Sequence, residues 1–292
     1  MERVWQQTVP GWNGSRYESR RLFATAPDGR KIPMSVSHVK GAFDAEQPGP
    51  RPCMLYGYGS YGHSIEPQFD ESILPYLDRG VVYVIAHVRG GGELGNAWYE
   101  SEGKYLNKRN TFSDFIACAE ALVEHGVTSP DILAIEGRSA GGLLMGSVLN
   151  MRPDLFRVVV AGVPFVDVMN TMCDPSIPLT TLEWTEWGNP NEWKYFDYML
   201  SYSPYDNVRR IPYPDILILA GLHDPRVGYW EPAKWASKLR VHNSNPSTKT
   251  LLKVDLDSGH FSASDRYRHK KQKAFEQAFV LDKLGFMSAS EL

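Results

Sequence analysis

ILAIEGRSAGGLLMGSVL, residues 132–149, changes its period halfway. The first part, ILAIEG, is a short apolar run of the buried-strand type, and the second resumes with apolar residues at helical spacing. Between them stands Ser139, flanked by Gly137 and Gly141. Gly-x-Ser-x-Gly at the point where a strand gives way to a helix is the pattern of a nucleophile elbow, whose tight turn lifts a serine hydroxyl clear of the backbone. The plain alternative is a turn that contains a serine. About one chain in ten of this length carries the pattern by chance at ordinary Gly and Ser usage, so the rest of the chain has to decide.

Working outward, buried-type strands recur at 53–59 (CMLYGYG), 81–88 (VVYVIAHV), 158–165 (VVVAGVPF), 215–222 (DILILAGL) and 251–257 (LLKVDLD). Helical stretches lie between and after them at 111–126, 140–150, 231–240 and 265–284. Apolar strands alternating with amphipathic helices predict an α/β fold, a mostly parallel central sheet flanked by helices on both faces. Two alternating runs around Asp28-Gly29 predict a β-hairpin over 22–39. The Gly- and Pro-rich 41–52 predicts a loop. A long aromatic, Pro-rich section from Asp167 to Pro214 interrupts the alternation and is expected at the C-terminal edge of the sheet, above the active site.

Bulk properties narrow the function. The 292 residues suit one large α/β domain or two small ones. A formal charge of −3 supplies no broad basic field for nucleic acid or anionic lipid, so neither is expected as a partner. No apolar run approaches the roughly 18 residues of a membrane span, and the start MERVWQQTVPGWNG lacks the apolar segment of a secretory signal. Cys53, Cys118 and Cys173 are odd in number and widely spaced, which fits a reducing, cytoplasmic setting rather than a disulfide framework. No Cys or His spacing suggests a metal, and no Walker motif is present, so no cofactor is expected.

A serine nucleophile needs a base, an acid to orient it and donors for the oxyanion, in α/β-hydrolases in the order Ser, Asp, His. Downstream of Ser139, DILILAGL ends in His223-Asp224-Pro225-Arg226, and LLKVDLD ends in Ser258-Gly259-His260. An acid and a histidine thus each follow the C-terminal end of a later strand, where such folds place their chemistry. Each has a plainer use: Asp224 as a helix cap, His260 as a surface histidine. His223 competes as base but shares the loop of Asp224, and Asp255 and Asp257 are alternative acids on the same short run as His260. Gly90-x-Gly92-x-x-Gly95 formally matches a dinucleotide fingerprint. That fingerprint needs a helix to open at once, whereas NAWYESEGKYLNKRN is polar and turn-rich, with no clean helix until Thr111.

YGYGSYG (56–62), HVRGGGELG (87–95), NTFSDF (110–115), GRSAGGLLMG (137–146), RPDLF (152–156), VPFVDV (163–168), SYSPYDNV (201–208) and GLHDPRVGYWEPAKW (221–235) stand in this order along the chain. This run of motifs resembles the catalytic domain of the prolyl oligopeptidase family, closest to its oligopeptidase B branch, from about residue 8 to about 285. The resemblance implies a triad of Ser139, Asp224 and His260, in agreement with the reading from the strand ends. It implies an oxyanion hole from the Tyr58 hydroxyl and the Ala140 N–H, contact of Arg226 with substrate carbonyls, and a primary pocket lined by Tyr61 and Trp184. Oligopeptidase B is known for cleavage after Arg or Lys, with paired acids in the segment that reads TTLEWTEWGNP here. Glu183 matches one of them, and Thr185 stands in place of the other. Glu66 matches an acidic subsite residue, and Gln68 replaces a second.

The resemblance also implies a β-propeller cap, of which this sequence shows nothing. Residues 1–20 are expected to be the remnant of a propeller exit, and 21–292 the catalytic domain. The expected activity is that of a serine hydrolase, an oligopeptidase B-like peptidase acting on oligopeptides after basic residues, with small esters as additional substrates. An esterase using the same triad is the alternative within enzymes, and an idle fragment or binding module the alternative outside them. Without a cap, the aromatic section around Trp184, Trp187, Trp193 and Tyr195 is expected to lose its shelter, and either to drive self-association or to rearrange so that it covers itself.

Overall fold

The computed structural model describes residues 4–5, 8–43, 49–261 and 266–286. Parts of the expected propeller exit (1–3, 6, 7), of the 41–52 loop (44–48), Asp265 and the terminal 287–292 lie outside the described residues. Strands β1 (Tyr17–Thr25), β2 (Lys31–Val39), β3 (Cys53–Tyr56), β4 (Val82–Ala86), β5 (Leu133–Arg138), β6 (Val158–Gly162), β7 (Asp215–Gly221) and β8 (Thr250–Asp255) form one sheet in the order β1-β2-β4-β3-β5-β6-β7-β8. The β1–β2 and β2–β4 pairs are antiparallel and all later pairs parallel. This is the α/β-hydrolase arrangement that the alternation of strands and helices predicts. The hairpin begins earlier than the expected residue 22, at Tyr17, where Tyr17 pairs with Val39.

The continuous apolar runs have a direct cause. Strands β5, β6 and β7 are covered on both faces, so neither set of alternating side chains meets water. Ile135, Val159 and Ile216 join the larger core, with Phe112 and Phe115 of α3 (Arg109–Glu124), Leu143 and Leu144 of α4 (Ala140–Met151) and Trp235 of α8 (Trp230–His242). Their neighbours Ala134, Val158 and Leu217 face the other way, into a core with Tyr76 of α1 (Leu74–Leu77) and Val280 of α9 (Arg266–Lys283). Among the described residues no helix is long and apolar enough to cross a membrane.

Two short helices depart from the sequence-based expectation. One is α1, and the other is α2 (Asn96–Glu100), which opens directly after Gly95 in a stretch expected to have no helix before Thr111. A one-turn helix has almost no intrinsic stability and is held by its packing; Trp98 of α2 is buried, its indole N–H donating to His87 O at 3.3 Å. The glycines before it serve close backbone approach. A Cβ on Gly90 would lie 2.0 Å from Gly59 O, and one on Gly92 would lie 2.5 Å from Gly62 O. The fingerprint-like run therefore packs against the loop that follows β3. The 167–214 section folds as α5 (Val168–Met172), α6 (Thr180–Trp187) and α7 (Trp193–Leu200).

Candidate active site

Because β3, β5, β6, β7 and β8 are parallel neighbours, their C-terminal ends share one edge of the sheet. Ser139 follows β5 directly, with φ 56° and ψ −118°, and α4 starts at the next residue. A non-glycine residue in such a conformation costs about 1–3 kcal/mol and persists only where its surroundings fix it. Here Ser139 N–H donates to Gly162 O at 2.8 Å. A Cβ on Gly137 would lie 2.3 Å from Gly141 O, and one on Gly142 would lie 2.4 Å from the Pro164 Cβ. Only glycines let the strand, the turn and the helix meet this closely.

Asp224 follows the end of β7 and His260 the end of β8, on the same edge of the sheet as Ser139. His260 Nε2 lies 2.9 Å from Ser139 Oγ, and His260 Nδ1 lies 2.7 Å from Asp224 Oδ2. The other oxygen of Asp224 accepts the Arg226 and Val227 N–H groups at 2.8 and 2.9 Å, so the aspartate also stiffens its own turn. The loops of Asp224 and His260 are pressed together: His223 N–H donates to Ser258 O at 3.1 Å, and a Cβ on Gly221 would lie 2.6 Å from Gly259 O. The competing residues are placed elsewhere. His223 is exposed, and Asp255 and Asp257 both pair with Arg268.

Ser139 and Ala140 open into a cavity of about 560 Å³ that Tyr58, Tyr61, Glu183 and Arg226 also line. Ala140 is the first residue of α4, where an amide N–H has no partner within the helix. Burial pushes the pKa of the half-buried Tyr58 hydroxyl up to about 12, so it keeps its proton at neutral pH. Glu183 Oε2 accepts from Tyr61 O–H at 2.8 Å and from Trp187 Nε1–H at 3.0 Å. Arg226 holds its guanidinium 4.8 Å from the centre of the Phe261 ring.

The family model described as the prolyl oligopeptidase family matches residues 67–286. The chain belongs to the prolyl oligopeptidase family. Protease 2 of Moraxella lacunata is 51% identical over 274 residues, which make up 94% of this chain and 39% of that protein. Dipeptidyl aminopeptidase BI of Pseudoxanthomonas mexicana is 47% identical over 97% of this chain and 39% of its own length. The structure of oligopeptidase B from Leishmania major superposes with a TM-score of 0.91 at 64% identity, over 94% of this chain and 38% of that one. Oligopeptidase B from Trypanosoma brucei with covalently bound antipain gives the same TM-score and identity over 95% and 39%. The chain therefore spans well under half the length of these relatives.

Within this prolyl oligopeptidase-family domain two expected pocket residues lie apart from the cavity at Ser139. Glu66 is exposed and lines a separate depression with Gln68, Tyr56 and Tyr83. Trp184 does not line the cavity; its indole N–H donates to Met172 O at 3.1 Å, fastening α6 to the end of α5. Trp187, one turn on, lines the cavity instead and is 1% exposed. The aromatic section is thus largely packed: Trp184 and Tyr195 are half-buried, and Trp193 alone of the four stands out, at 75%. Thr185 is exposed and donates to Leu182 O at 2.7 Å.

Sequence patterns did not reveal the buried charges around this cavity. Lys108 and Glu186 flank the Tyr58–Gly62 loop, and burial pushes the Lys108 pKa down to about 8. Glu231, in the first turn of α8, accepts the Val166 and Asp167 N–H groups, each at 3.0 Å, and the Thr171 hydroxyl at 2.6 Å. Burial raises its pKa from an ordinary 4.5 to about 7. The folded state therefore holds this proton more tightly than the unfolded chain does. Its contribution to stability is full below about pH 4.5 and is lost as pH rises through about 7. Thermal midpoints of the wild type and Glu231→Gln, compared across that range, should show the wild type losing ground as pH rises. A constant difference would mean that Glu231 does not titrate there.

Proposed function

We propose that this domain is a serine peptidase of the oligopeptidase B type, cleaving peptide bonds on the carboxyl side of Arg or Lys. The observation that carries it is the hydrogen-bonded line from Ser139 Oγ through His260 to Asp224, opening into a cavity whose wall bears the Glu183 carboxylate. Ser139 Oγ attacks the scissile carbonyl while His260 Nε2 takes its proton, which His260 then delivers to the leaving amine. Asp224 holds the imidazole by its Nδ1–H and stabilises the imidazolium. The Tyr58 hydroxyl and Ala140 N–H bind the oxyanion. Arg226 reaches substrate carbonyl groups from the rim.

Charge selection is assigned to Glu183. Both of its hydrogen bonds within the wall go to Oε2, which leaves Oε1 to face a substrate cation. With Thr185 exposed on another side of α6, one carboxylate rather than two does this work. Glu66, in its separate depression, is proposed to contact substrate only beyond the residue that precedes the cleaved bond.

A panel of Arg-, Lys- and Pro-amides beside a short-chain neutral ester tests this. Arg and Lys amides should be cut and the Pro amide spared; turnover of the ester alone would make the protein an esterase. Glu183→Gln should lower kcat/KM for Arg amides about 30-fold, the equivalent of about 2 kcal/mol, at the low end for breaking a partly desolvated charge pair. The neutral ester should change by less than about threefold. Equal losses on both substrates would remove Glu183 from charge reading.

A further inference from the structure

We infer that Lys108 and Glu186, two buried charged side chains outside the Ser139–His260–Asp224 line, are positioning residues that clamp the Tyr58–Gly62 loop at consecutive residues. The inference rests on the function proposed above, in which that loop carries an oxyanion donor and a wall of the substrate pocket. The Lys108 side chain is 1% exposed and Glu186 2%. Lys108 Nζ donates to Gly59 O and, at 2.8 Å, to Ser60 Oγ. Glu186 Oε1 accepts the Tyr61 N–H at 3.0 Å, and its Oε2 accepts the Tyr99 hydroxyl at 2.5 Å. A lysine thus holds a carbonyl and a hydroxyl of the loop, and a glutamate holds the amide two residues beyond that carbonyl.

The loop requires such holding. Gly59 has φ 70° and Tyr61 has φ 59°, the second a left-handed conformation in a residue with a bulky side chain. A backbone of this kind relaxes unless several contacts over-determine it. The free edge of the loop is closed by Gly62 N–H donating to Gly90 O at 3.0 Å, which completes the fit to the glycine run. Burying an ammonium and a carboxylate is costly, and neutral groups could satisfy the same donors and acceptors. What charge adds is hydrogen bonds about twice as strong as neutral ones, and so a narrower distribution of loop positions.

The two residues act on different parts of the reaction. Lys108 grips the residues directly after Tyr58, so its effect falls on oxyanion binding. Glu186 lies on α6 between Glu183 and Trp187 in sequence and grips Tyr61, whose hydroxyl orients Glu183. Its effect falls on recognition of the substrate cation. Misplacing a catalytic group by about 1 Å can cost on the order of a hundredfold, so small loop movements suffice.

The test uses Lys108→Met and Glu186→Gln, both close in size to the native side chains, with Tyr58→Phe as the reference background. Lys108→Met should lower kcat for an Arg amide about 10- to 100-fold with KM within about twofold. In the Tyr58→Phe background the same change should cost less than about threefold, because the group it positions is gone. Glu186→Gln should mainly raise KM for Arg amides and leave the neutral ester within about threefold. Amide hydrogen exchange provides an arm independent of activity: residues 58–62 should exchange at least several-fold faster in both variants, with α4 unchanged. An equal kcat loss in both backgrounds, or unchanged exchange at 58–62, overturns the clamp. If Lys108→Met does not fold, the exchange and KM results for Glu186→Gln decide alone. If the wild type neither cleaves Arg amides nor labels at Ser139, the proposed function fails, and the exchange result still decides whether the clamp exists.

Discussion

Ser139→Ala is expected to abolish nearly all turnover, with a loss of up to about a millionfold where the three groups act as a unit. The substitution removes one hydroxyl from a turn whose geometry is set by backbone contacts, so the fold should persist. Ser139 N–H still reaches Gly162 O, and Gly137 and Gly142 still permit the close approach of strand, turn and helix. Alanine enters the unusual φ of 56° with no more strain than serine. A fluorophosphonate probe should label the wild type at Ser139 and leave the variant unlabelled, while thermal midpoints stay within a few degrees. Residual labelling with residual turnover in Ser139→Ala would place the nucleophile elsewhere.

Tyr58→Phe is expected to lower kcat about 100- to 1,000-fold, the usual cost of losing one oxyanion donor. The ring stays, including its edge contact with His63 at 5.6 Å between centroids, so the cavity wall keeps its shape. Because burial pushes the phenol up to about pKa 12, it remains a donor throughout an ordinary assay range, and the loss should be nearly independent of pH below about 9. KM should move little, since the bond strengthens as charge develops on the oxygen rather than in the bound substrate. A loss under threefold would leave the Ala140 N–H as the principal donor.

Several elements were legible in the sequence because their signals are local. Strands β5, β6 and β7 are buried on both faces and read as unbroken apolar runs. The β1–β2 hairpin announces itself through Asp28-Gly29, with Gly29 at φ 85° in the turn. Less was visible in α1 and α2, one-turn helices stabilised by what they pack against rather than by periodicity. On α6, Glu183 and Trp187 are four residues apart and meet on one helical face. Which aromatic faced the cavity was not legible: Trp184 and Trp187 are both tryptophans of the same short helix, and only the neighbouring α5 selects between them.

Local patterns in the chain were enough to locate the sheet-forming segments, the strand–turn–helix at Ser139, and an acid and a histidine at two later strand ends, though not the order of the strands across the sheet. Each of these is written in a local period or turn, and parallel strand pairing brings such ends to one edge of the sheet. Only packing across distant segments selects the buried charges that hold the Tyr58–Gly62 loop behind the cavity. Glu186 meets the Tyr61 amide across 125 residues of chain, and Lys108 meets Ser60 across 48. Glu66, only a few residues beyond Tyr61, turns instead into a different depression. The physical reason is that a charged residue in a polar stretch carries no mark of its burial. Whether it faces water or holds a strained loop depends on segments that packing alone brings together.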